Sequence, residues 1–106
     1  MQRLSFPEAR TALIATGFRY LGTACIADCD TSYWAHPTTL MLAAIHGWDD
    51  DYTPRHMVST YDTLLRVAMR ILSERQHFLP DAMLEHRAQT HLATLGFAPP
   101  SFSGSR

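Results

Sequence analysis

The sequence predicts a mainly α protein, a four-helix domain over residues 1–97 followed by a flexible tail over 98–106. Two observations carry that expectation. Apolar residues recur at helical spacing in the C-terminal half, where two long segments over 54–95 would form a helical hairpin. In addition, three helix-like segments that begin near a proline each end in a glycine followed by an aromatic: Gly17-Phe18, Gly47-Trp48 and Gly96-Phe97. Glycine accepts the left-handed conformation that closes a helix, and the apolar neighbour packs back on the last turn.

The first helix is expected over about residues 6–16. Ser5-Phe6-Pro7-Glu8 has the form of a capping box, and Ala9, Ala12, Leu13 and Ile14 supply an apolar side. Residues 18–35 contain β-favouring side chains around Asp28-Cys29-Asp30. They leave room for a short β-hairpin between the first two helices, which would make the fold α+β. The run Pro37–His46 is nearly all apolar, a pattern shared by buried helices and buried strands, and Pro37 with Gly47 favours a helix.

For the third helix, Thr53 is the expected N-cap and Pro54 the first residue. Met57, Tyr61, Leu64, Ala68 and Ile71 form its apolar face, widened by Val58, Leu65 and Leu72. Asp62–Arg66 and Arg70–Glu74 stand at ion-pair spacing on the other side. A link at Gln76–Leu79 leads to the last helix, which starts at Pro80 or Asp81 and offers Leu84, Ala88, Leu92 and Leu95. The tail is rich in Pro, Ser and Gly.

Composition excludes more than it assigns. The 106 residues include no lysine and no asparagine. That removes Schiff-base and P-loop lysines, glycosylation acceptors and an Asn partner for a catalytic histidine. A net charge of −1 gives no field to attract nucleic acid or anionic membrane. The opening residues lack the apolar core of a signal peptide, and no run reaches bilayer-spanning length. A cytoplasmic location follows as the expectation, with Cys25 and Cys29 as thiols.

The best candidate metal ligands are Cys25, Cys29, His36 and His46, because thiolate and imidazole are the donors zinc prefers. Only the cysteines have knuckle-like spacing, so two thiols packed as small hydrophobes is the plainer account. Asp49, Asp50 and Asp51, between His46 and His56, offer a hard-cation alternative. Consecutive carboxylates converge only in a sharply folded loop, and the same acids would favour a helix start near Pro54. His86 and His91 point about 140° apart on one helix and cannot share an ion. No nucleophile elbow, HExxH, CxxC or GxGxxG occurs, so no enzyme class and no cofactor is expected.

The leading functional expectation is a small non-catalytic protein–protein interaction module: an inhibitor, adaptor or regulatory subunit. A bacterial mobile element or phage would be a fitting source for such an accessory protein. Trp, Tyr and Arg dominate binding hot spots, which singles out Trp34, Trp48, Tyr52, Arg55, Arg66 and Arg70 as partner-binding residues. The partner would be another protein, or a second copy covering the apolar run at 37–46. A metal-binding protein is the alternative. A nucleic-acid regulator using the Arg55, Arg66 and Arg70 face comes third, since Asp62 interrupts that stripe.

Overall fold

In a computed structural model, which describes residues 3–26, 29–47, 50–75 and 79–99 (at Ile26 and Cys29 the backbone alone), helices and strands share the chain. The order is α1 (Phe6–Ala15), β1 (Arg19–Ile26), β2 (Cys29–Ala35), β3 (Leu42–Ile45), β4 (Arg55–Met57), α2 (Tyr61–Ser73) and α3 (Asp81–Thr94). The strands form one antiparallel sheet in the order β1-β2-β3-β4. The fold is therefore α+β, and the expectation of a mainly helical four-helix domain is corrected.

Residues 37–46 are the main source of the error. Instead of a helix they form a turn, closed by Leu40 at φ 61°, and then β3. All four residues of β3 are buried. Leu42 joins a cluster with α2 and α3, while Ala43 and Ile45 join a second cluster with Ala9 and Leu13 of α1. A strand covered on both faces needs apolar residues at every position, which erases the alternation that would mark it as a strand.

The second correction concerns Thr53-Pro54. Residues 55–57 pair with β3, matching Ala44 to Arg55, Ala43 to His56 and Leu42 to Met57. Helix α2 starts only at Tyr61, where the Thr60 hydroxyl accepts a hydrogen bond from the Thr63 N–H at 3.3 Å. Met57 and Val58, expected on the apolar face, are 46% and 88% exposed. From Tyr61 onward the periodicity holds: Tyr61, Leu64, Leu65, Ala68 and Ile71 are buried.

Helix α1 carries the full capping box. The Ser5 N–H donates to Glu8 Oε1 at 2.8 Å, and the Glu8 N–H donates to Ser5 Oγ at 3.3 Å. Two of the three Gly-aromatic pairs end helices. The Phe18 N–H donates to the Leu13 carbonyl and the Phe97 N–H to the Leu92 carbonyl, each at 2.9 Å, with Gly17 and Gly96 at positive φ between them. Gly47 instead follows β3.

Strands β1 and β2 form the hairpin that the sequence left open, with a register shift between Tyr20 and Gly22. The shift sends Leu21, 1% exposed, into the core beneath α2 and α3. At Gly22 a Cβ would lie 2.7 Å from Ile71 Cγ2, so glycine is what lets α2 lie on the bulge. The result has three layers: α1 on one face of the sheet, α2 and α3 on the other. Among the described residues no helix is long and apolar enough to cross a membrane. Trp48, Asp49, residues 76–78 of the expected link and residues 100–106 of the expected tail lie outside the described residues.

Candidate docking surface

The Cys29 side chain and Asp49 lie outside the described residues, and the other metal candidates stand apart. Among the described residues no group of three His, Cys, Asp or Glu side chains is placed to hold an ion. Cys25 is a free, exposed thiol that faces Asp30 across the hairpin, while Cys29 is in register with Ile26. The His36 Nδ1 accepts from the N–H groups of Thr38 and Thr39 at 3.1 and 3.4 Å, so that nitrogen closes the turn into β3. His46 Nδ1 is hydrogen-bonded to the Thr31 hydroxyl at 2.8 Å. Burial, and then the nearby Arg55 charge, hold His46 below its ordinary 6.5 and favour the neutral ring.

Of the acidic loop, Asp51 is a structural anchor. Its Oδ1 accepts from Thr53 Oγ1 at 2.6 Å, from the Thr53 N–H at 3.1 Å and from the Leu4 N–H at 3.3 Å. These bonds, with the Thr53 hydroxyl foremost, keep its carboxyl below the usual range. Together with the Tyr52 N–H to Leu4 carbonyl bond at 2.9 Å, they tie the segment before α1 to the loop before β4.

The partner-binding candidates scatter. Trp34 is 2% exposed, and its Nε1–H donates to Ser32 Oγ at 3.2 Å. Tyr52 is half-buried and meets the Phe6 ring edge-on at 5.8 Å. Arg55 lies on β4, so it shares no helix face with Arg66 and Arg70. Arg66 pairs with Asp62 at 3.1 Å on an open surface, where such a pair contributes little.

Arg70 has a different role. It pairs with Glu74 at 3.2 Å, and the two side chains together hold the Cys25 backbone. Arg70 Nη2 donates to the Cys25 carbonyl at 3.2 Å, and the Cys25 N–H donates to both Glu74 oxygens at 3.0 and 3.1 Å. From α3, the His91 Nε2–H donates to the Leu21 carbonyl at 2.8 Å. Those groups of β1 face away from β2, where a further strand would pair. Side chains of the C-terminal helices thus cap that edge at Leu21 and Cys25.

What the structure brings together is another set. Phe6, Arg10 and Ile14 follow one another at i, i+4 and i+8 on α1, forming a stripe beside the buried Ala9–Leu13 pair. They face Phe18, Arg19 and Tyr20 across a groove of about 510 Å³, with Trp34 and Leu95 completing its lining. Phe6, Ile14 and Tyr20 are 39%, 54% and 45% exposed. Tyr20 leans on Trp34 with ring centroids 5.0 Å apart. Among the described residues no carboxylate lines the groove. The Arg19 guanidinium donates to the Leu95 carbonyl, and Arg10 makes no hydrogen bond or ion pair among the described residues.

A more polar bay of about 550 Å³ adjoins on the far side of Phe6, lined by Thr23, Asp30, Ser32, Ile45, Gly47 and Tyr52. The sequence signal for the groove was the Phe6/Arg10/Ile14 spacing, masked because Ile14 reads equally well as part of the core-facing side of α1. No family model, no curated protein and no solved structure matches this chain.

Proposed function

We propose that this protein is a small, non-catalytic protein-binding module of the inhibitor, adaptor or regulatory-subunit kind, docking its partner in the groove between α1 and β1. The supporting observation is the groove itself. Phe6, Ile14 and Tyr20 remain exposed around a concave apolar floor, and two guanidinium groups flank it with no carboxylate among the described lining residues. Exposed aromatics beside arginine are the composition of binding hot spots. That charge pattern calls for a partner segment carrying both apolar side chains and carboxylates. The free, exposed Cys25 suits action in a reducing compartment such as the cytoplasm.

The test is site-specific photo-crosslinking in the native host, with a photoreactive residue replacing Ile14 and, as control, Asp62 on the opposite layer. An adduct to one defined protein from position 14 and none from position 62 is the expected result. That protein should then bind Arg10→Glu at least tenfold more weakly than the parent chain. Equal labelling from both positions, or none from either, would remove the proposal.

A further inference from the structure

Resting on that docking reading, we infer that the groove takes an amphipathic α-helix with acidic residues beside its apolar stripe, and not an extended strand. A strand added at a sheet edge needs a row of outward N–H and C=O groups. Along β1 that row is interrupted at two residues: Glu74 takes the Cys25 N–H, Arg70 the Cys25 carbonyl and His91 the Leu21 carbonyl. The opposite rim is the side-chain surface of α1, which has no such row.

A visiting strand would find no continuous row to pair with, whereas the side chains of α1 and β1 line the groove throughout. A segment that buries apolar side chains there must satisfy its own backbone, which a helix does internally. Size agrees as well. Phe6 to Ile14 spans about 12 Å of helix axis, close to the roughly 10.5 Å between residues i and i+7 of a docked helix. Charge sets the composition, since Arg10 on one rim and Arg19 on the other call for Asp or Glu along both borders of the apolar stripe.

The experiment selects a displayed library of random 16-residue peptides against the full-length protein. Enriched sequences are expected to place apolar residues at i, i+3 or i+4, and i+7, with Asp and Glu between them. Their binding should fall at least tenfold against Ile14→Asp and against Arg10→Glu, and on placing a proline at the peptide's centre. Peptides that depend on Ile14 but alternate apolar and polar residues, and tolerate the central proline, would overturn the helix while leaving the docking groove intact. A selection yielding no peptide dependent on Ile14 would overturn both.

Discussion

Tyr61 shows at single-residue scale how the core tolerates an imperfect fit. Its ring is 8% exposed and its hydroxyl has no hydrogen-bond partner among the described residues. Desolvation raises its pKa, as expected of a phenol out of water. An unsatisfied buried hydroxyl costs about 1–3 kcal/mol. Tyr61→Phe should therefore leave the denaturation midpoint unchanged or raise it, and a clear drop would show that the hydroxyl is satisfied in solution. His46 gives a pH dependence of opposite legibility. Its folded pKa is depressed below 6.5, so its stabilising contribution is complete above that pH and lost as pH falls through the folded value. Denaturant titrations from neutral pH to about pH 5 should show a larger loss for the parent than for His46→Gln; equal losses would exclude this role. Trp34 was legible as an important residue but not as a core one. Composition identifies an aromatic anchor, whereas what turns it inward beside Ser32 is the pairing of β2 with β1 on one side and β3 on the other.

At the scale of elements, local signals were readable wherever the chain itself closes the interaction. The Ser5/Glu8 capping box and the Gly17 and Gly96 helix endings are satisfied within a few residues, and the structure contains them. Strand β3 was unreadable for the converse reason. Its identity depends on β2 and β4 at its sides and on helices at both faces, and complete burial gives it a helix-compatible composition. Thr53-Pro54 misled because a helix-start dipeptide is a weak prior beside three ladder pairs to β3. The Arg70–Glu74 pair could be read only as an exposed i, i+4 pair, yet its work is done on a strand some 49 positions away. Glu74→Ala should accelerate hydrogen exchange at the Cys25 amide and increase light scattering with concentration, by reopening the β1 edge. An unchanged Cys25 exchange rate would show that the edge is protected by something else.

Across the whole molecule, stability rests unequally on the two faces of the sheet. Helices α2 and α3 share a large cluster with Leu21, Ala35 and Leu42, whereas α1 contributes only Ala9 and Leu13 to the smaller one around Trp34. Leu13, 2% exposed, is therefore the main attachment of α1. Leu13→Ala should cost about 2–5 kcal/mol, and should bring dye binding at the Trp34 face before the sheet and C-terminal helices melt. Fully cooperative melting of all three layers would show that α1 is no separable unit. The groove lies on this lightly held side, where Ile14 remains outside both clusters. The edge closure of β1 has a consequence in time. The sheet is complete by Met57, but the side chains that seal β1 are residues 70, 74 and 91. At synthesis rates of about 5–20 residues per second, the ribosome needs roughly 2–7 s to travel from Met57 to His91. During that interval the nascent sheet presents an unsealed border to neighbouring chains. A translational pause introduced after Met57 should lengthen that exposure and lower the soluble yield; an unchanged yield would show that the border is not exposed during synthesis.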